Sequence, residues 1–359
     1  MIRLLMSAGL AFGVSVLLTR LLIDVLTRNK IGQPIREDGP QGHMTKAGTP
    51  TMGGLAIVIG AATGYFGSWG LARFAASQSD DVVSGGTFTR SGLLVLGTIL
   101  AAAVVGFLDD WIKVSQERNL GLNAKLKTAG QLIYAIGFGV LAINFTPVHT
   151  ELSFARFANP GIDLGTIGWV IWAVLLLYAS SNAVNLTDGL DGLAAGSGIF
   201  SFAAYTLIGF WIFRQSRLQV DIYDVPHALD LTVVAVAMMA ASAGFLWFNS
   251  APAEIFMGDT GSLAIGTALA ALALMTNTHL LLPIIGAIYV IETSSVMLQI
   301  GFFKATGGKR LFRMAPIHHH FEIKGWQETK VIIRFWLIGG AMTMLALGLF
   351  YAEYRTAIG

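Results

Sequence analysis

Two adjacent aspartates followed by a lysine, Asp109-Asp110-Trp111-Ile112-Lys113, form the first group in this sequence able to handle a charged substrate. If the helix continues, Lys113 lies four residues from Asp109 and three from Asp110 and can share a face with either. Neighbouring helical residues point about 100° apart, so the two aspartates are expected to divide labour rather than chelate one ion together. Two acids near a helix C-terminus also oppose the helix dipole, which a plain interfacial helix end does not explain.

Two further loops carry carboxylates and no Lys or Arg: Asn182-Ala183-Val184-Asn185-Leu186-Thr187-Asp188-Gly189-Leu190-Asp191-Gly192, and 249–261 with Glu254 and Asp259. The Asp-Gly pairs would make turns in any protein, and Asp259 could simply cap the next helix. Together, acid-only loops point to a bound cation, and oxygen donors without cysteine favour Mg²⁺, which bridges carboxylates to substrate phosphates. Segment 304–330 is the opposite: it holds Lys309, Arg310 and Arg313, then Pro316-Ile317-His318-His319-His320-Phe321-Glu322. Three consecutive histidines diverge in direction and do not match zinc spacing, whereas imidazoles and guanidiniums suit a phosphate-bearing anion. The cations could equally serve anionic lipid. Lys46, in a Gly-, Pro- and Thr-rich loop, reads as a phosphate or nucleotide contact or as a topology-setting charge, and Glu292 is the clearest ionisable residue inside an apolar run.

These groups must be held by membrane helices. Of the 359 residues 54% are hydrophobic and 12% charged, with a mean hydropathy of +0.66. Soluble proteins carry roughly 25% charged residues, so a set of water-soluble domains is excluded. Zero cysteines exclude disulfides and thiolate chemistry, and a net charge of +2 gives no sign of nucleic-acid binding. Ten runs are long enough for about one bilayer helix each: 2–26, 51–75, 91–108, 126–145, 166–184, 193–213, 231–248, 262–277, 280–303 and 331–351. The predicted fold is an all-α polytopic membrane protein in a single domain, 1–359, with the first run retained as a span. Sixteen of the 23 Lys and Arg fall on one side, which the positive-inside rule places in the cytoplasm with both termini external. Every loop named above lies on that side, and the loops 78–90, 146–165 and 214–230 read as plain polar connectors.

Thr49-Pro50-Thr51-Met52-Gly53-Gly54, Asp109-Asp110-Trp111-Ile112-Lys113, Asn185-Leu186-Thr187-Asp188-Gly189-Leu190-Asp191-Gly192, Phe256-Met257-Gly258-Asp259 and Pro316-Ile317-His318-His319-His320-Phe321 occur in one order. In this the chain resembles the polyprenyl-phosphate N-acetylhexosamine-1-phosphate transferases over essentially its whole length, and within them the muramoyl-pentapeptide branch. The resemblance implies a Mg²⁺-dependent transfer of phospho-N-acetylmuramoyl-pentapeptide from UDP-MurNAc-pentapeptide to undecaprenyl phosphate. The products are lipid I and UMP, formed at the inner face of the bacterial cytoplasmic membrane.

On that resemblance Asp109, Asp110, Asp259 and His318 are the candidate catalytic residues, Asp109 accepting a proton from the prenyl phosphate or orienting it. Asp259, with Asp188 and Asp110, is the candidate metal set. Lys113, Lys125, His319 and His320 would bind phosphates. Lys46, Asp191, Asn249 and Phe256 would surround the uridine, with the Phe256 ring on uracil, and Asn185, Asp188 and Gln299 would line the same cleft. The resemblance leaves room for a homodimer, and for Asp259 as a nucleophile in a two-step route. A sister GlcNAc-1-phosphate transferase and, from another class, a transporter or flippase are the rival readings; transporters place their ionisable groups near the bilayer midplane.

Overall fold

A chain in hydrocarbon must satisfy its backbone hydrogen bonds within itself, and the apolar runs accordingly fold as helices. The computed structural model describes residues 1–29, 48–77, 88–116, 120–218 and 222–358. Its helices are α1 (Ile2–Arg28), α2 (Gly54–Ser77), α3 (Arg90–Ser115), α4 (Ala124–Phe145), α5 (Gly165–Thr187), α6 (Leu193–Arg217), α7 (Ala228–Asn249) and α8 (Gly258–Met275). These are followed by α9 (Leu282–Ile285), α10 (Ala287–Ala305), α11 (Ile317–Ile323) and α12 (Glu328–Ile358). Among the described residues nine helices, α1 to α8 and α12, are long and apolar enough to cross a membrane.

The run predicted as the ninth span is broken at Gly286 into α9 and α10. It still joins the two ends of the bundle. The Leu280 N–H donates to Ser153 O at one end, and Gln299 holds residues 311 and 312 at the other. The first of these ends also gathers both chain termini. Arg3 pairs with Asp230 at the start of α7, and Arg156 pairs with Glu353 near the end of α12.

Residues 146–165 are more than a connector. They contain an antiparallel hairpin of β1 (Glu151–Arg156) and β2 (Asn159–Asp163). His279 Nε2 accepts the Ser153 N–H at 2.6 Å, which ties the hairpin to the bundle. A six-residue strand gives little hydropathy signal of its own, so its pairing is invisible to composition.

The centre of the bundle is α8, whose spanning window is 94% buried. Small residues make this crowding feasible, since membrane helices associate through close van der Waals packing. A side chain at Gly266 would strike the backbone of Ser180 in α5, and one at Gly54 would strike Gly261. The segment before α2 pairs with the segment before α8: Phe256 N–H donates to Pro50 O, and Gly53 N–H to Phe256 O. The Thr-Pro-Thr-Met-Gly-Gly run is thereby stitched to the Phe-Met-Gly-Asp run at the end opposite the hairpin.

Candidate active site

The end of α3 meets the beginning of α8. A Cβ on Gly106 would overlap the Asp259 carbonyl, and one on Gly258 would meet the Asp110 carboxylate. Gly258 also has φ +73°, a left-handed conformation that glycine adopts without strain. Asp110 Oδ1 accepts the Asp259 N–H at 3.0 Å, and Oδ2 accepts the Thr260 N–H at 2.9 Å and its hydroxyl at 2.7 Å. Asp110 thus caps the N-terminus of α8, where free N–H groups and the positive end of the helix dipole favour an anion. An acid unfavourable for its own helix is stabilised by α8.

Asp109 turns to the other neighbours. Its Oδ1 accepts the Leu122 N–H at 3.0 Å, and Lys113 Nζ lies 2.5 Å from its Oδ2. Lys113 also reaches Asp259 Oδ2 at 3.3 Å and Asp110 Oδ1 at 3.7 Å. Lys127 of α4 donates to Asp259 Oδ2, and Asn185 Nδ2 donates to Asp259 Oδ1 at 2.8 Å and Ser262 Oγ at 2.9 Å. One ligand oxygen each from Asp109, Asp110 and Asp259 falls within 4.8 Å of the others. The adjacent aspartates, expected to divide labour, do take different partners, yet each offers an oxygen to the same cluster. Their Cβ directions diverge, but Lys113 and the start of α8 draw both carboxylates to one point.

Three carboxylates meet two lysines here, leaving an excess negative charge. Asp188 responds to it: burial, followed by the charges of Asp259, Asp110 and Asp191, pushes its carboxyl up to about 8, so near neutral pH it is held mostly protonated and adds little charge of its own. The donors are hard oxygens, so the trio fits a small divalent cation. Among the described residues no other acidic or histidine group converges in this way. Of the expected metal set, Asp259 and Asp110 belong to the trio, whereas Asp188 stands outside it, its N–H bonded to Val184 O at the end of α5. Glu254 faces away, 3.7 Å from Arg20.

Lys127, absent from the expected site residues, reaches the cluster, whereas Lys125, the expected phosphate contact, is exposed. The signal was present: Lys127, Gln131, Tyr134, Phe138 and Ala142 follow helical spacing, and the last four are buried. Thr260 and Ser262 are also additions that only the packing of α8 reveals.

The expected uridine contacts divide into held and scattered. Asp191 Oδ2 accepts the Ala253 N–H at 3.0 Å, while its own N–H donates to Glu328 Oε1 at 3.1 Å. Asn249 donates to Ile255 O at 2.8 Å, so it braces the loop that carries Phe256 and leaves its Oδ1 without a hydrogen bond. Phe256 is half-buried with its backbone paired to Pro50 and Gly53. Gln299 is occupied in pinning the basic segment, Oε1 accepting from Leu311 and Phe312 N–H at 3.1 and 2.8 Å. Lys46 lies outside the described residues.

The three histidines part company. His318 is fully buried, its Nδ1 3.0 Å from Glu292 Oε2. His319 Nδ1 lies 2.7 Å from Glu322 Oε2, and His320 Nδ1 accepts the Arg313 N–H at 3.0 Å. Partial desolvation, then the charges of Lys324 and Arg313, lower the proton affinity of His320. None joins the aspartate trio.

The profile described as glycosyl transferase family 4 matches residues 92–277, and a phospho-N-acetylmuramoyl-pentapeptide-transferase signature matches residues 46–58. The chain is 48% identical to the phospho-N-acetylmuramoyl-pentapeptide-transferase of Streptomyces avermitilis over 365 residues, covering 98% of each. It is likewise 48% identical to those of Renibacterium salmoninarum over 377 residues and Thermobifida fusca over 363, with 99% of each chain covered.

Proposed function

Since the chain belongs to the phospho-N-acetylmuramoyl-pentapeptide-transferase family, we propose that it moves phospho-MurNAc-pentapeptide from UDP-MurNAc-pentapeptide to undecaprenyl phosphate, releasing lipid I and UMP. The observation that carries this reading is the convergence of Asp109, Asp110 and Asp259 on one point beside Lys113 and Lys127. That end of the bundle carries most of the basic residues, so it faces the cytoplasm of a bacterial cell membrane, with both termini external.

In the transfer, an oxygen of the prenyl phosphate attacks the sugar-bearing phosphorus. A new P–O bond forms as the bond from that phosphorus to the bridging oxygen breaks, and UMP departs with the bridging oxygen. Phosphoryl transfer asks mainly for positioning and charge neutralisation. Asp109 holds or deprotonates the prenyl phosphate. Lys113 and Lys127 keep two anions within reach of each other and of the carboxylates. Asn185 fixes Asp259, and Asp110 fixes the start of α8. Asp259 with Asp109 and Asp110 would hold Mg²⁺, which supplies charge neutralisation at the diphosphate and the leaving UMP. Asp191 and the loop braced by Asn249 receive the uridine.

Purified protein supplied with undecaprenyl phosphate, Mg²⁺ and UDP-MurNAc-pentapeptide should release UMP, stop on addition of EDTA, and give no product with UDP-GlcNAc. Turnover of UDP-GlcNAc alone would transfer the chain to the sister activity.

A further inference from the structure

Glu292 is fully buried in α10, inside a membrane passage, and the trio makes no use of it. A carboxylate in that setting costs free energy and persists only with a partner or a task. Its partner is His318, also fully buried, at 3.0 Å, and neither side chain has a hydrogen bond to any other group among the described residues. The opposite edge of the imidazole abuts the aspartate loop. A Cβ placed on Gly189 would lie 2.5 Å from His318 Nε2 and 2.9 Å from its Cε1. Gly189 follows Asp188 directly and precedes Asp191 by two residues. Leu190, between them, is buried in a small apolar cluster with Leu193, Ile288, Val331, Ile332 and Phe335.

We infer that Glu292 and His318 are positioning residues for the loop 188–191. Glu292 fixes the ring from one side, and the ring sets how deep Gly189 can sit against α11. The loop's other ties, Asp191 N–H to Glu328 and Asp191 Oδ2 to the Ala253 N–H, fix its far end and leave Gly189 to the histidine. His318, expected to touch substrate, acts here through the backbone that carries Asp188 and Asp191. The consequence for nucleotide binding rests on the transferase reading; the consequence for the loop does not.

The test is amide exchange of the full chain in detergent without substrate, read on a peptide covering 186–193, beside KM and kcat for UDP-MurNAc-pentapeptide. Glu292→Leu and His318→Ala should each speed exchange at 188–191 about tenfold, since these amides then open locally at lower cost. Glu292→Gln, which keeps an oxygen facing His318, should stay near the parent rate. KM should rise about tenfold while kcat changes less than about threefold, a loss of binding rather than of transition-state contact. Gly189→Ala supplies the independent variant, because its methyl meets the ring. Gly189→Ala combined with His318→Ala should be less impaired than the product of the two single defects. Unchanged exchange in both Glu292→Leu and His318→Ala overturns the inference, as does full multiplicativity in the double variant. A parent protein that releases no UMP would remove the transferase reading, while the exchange data would still decide the positioning role.

Discussion

Asp110 on α3 and Thr260 on α8 are joined by two hydrogen bonds to a single carboxylate oxygen, one from the Thr260 N–H and one from its hydroxyl. A residue at the centre of the charged cluster is therefore also a helix cap, and the site is assembled by the same contact that seats the central helix.

The two partners of this contact should separate stability from chemistry. Thr260→Val removes one neutral donor and should cost about 1–2 kcal/mol of stability while retaining at least about a third of the activity. Asp110→Asn leaves buried N–H groups with a poorer acceptor and removes a charge from the trio, so it should both unfold earlier and lose activity. Thermal unfolding in detergent alongside UMP release distinguishes the two patterns.

Lys127 and Lys125 offer a direct contrast. Lys127→Met strips a cation from Asp259 and should lower kcat by about 10²–10³, the scale found when a preorganised electrostatic contact is deleted. Lys125→Met changes an exposed side chain and should stay within about threefold. Steady-state UMP release measures both; equal losses would place the phosphate path along the other face of α4.

Metal dependence should follow the geometry of the carboxylates. Activity lost to EDTA should return on titration with Mg²⁺. Asp259→Asn should give no measurable recovery, whereas Asp188→Asn, outside the trio, should recover with about a tenfold higher Mg²⁺ requirement. The midpoint of each titration is the reading.

The hairpin anchor predicts a pH response. Burial lowers the His279 imidazole to about 4, against about 6.5 in an unfolded chain, so the folded state refuses a proton that the unfolded state binds. Stability should consequently fall as pH drops from 6.5 towards 4, by up to about 3 kcal/mol from this group. Melting temperature against pH, compared between the parent and His279→Gln, isolates the contribution. A parallel pair of curves would discount it.

The sequence alone determined the class of fold and the reaction. Twenty-residue apolar runs leave a chain little choice but helices in a bilayer, and the side bias of Lys and Arg puts the carboxylate and histidine loops on one face. The order of the motifs from Thr49 to Phe321 led to the family that the relatives bear out. What tertiary structure decided was which side chains share a point. Lys127 rather than Lys125, Asp109 rather than Asp188, and the capping of α8 by Asp110 all depend on how α3, α4 and α8 are rotated against one another. The break at Gly286 and the hairpin at 151–163 likewise depend on contacts across the chain. Hydropathy and motif spacing are one-dimensional and record what a residue can do. Helix packing sets distance and direction, and hydrogen bonds and metal ligation act only at contact distances, so only the fold could say which groups act together.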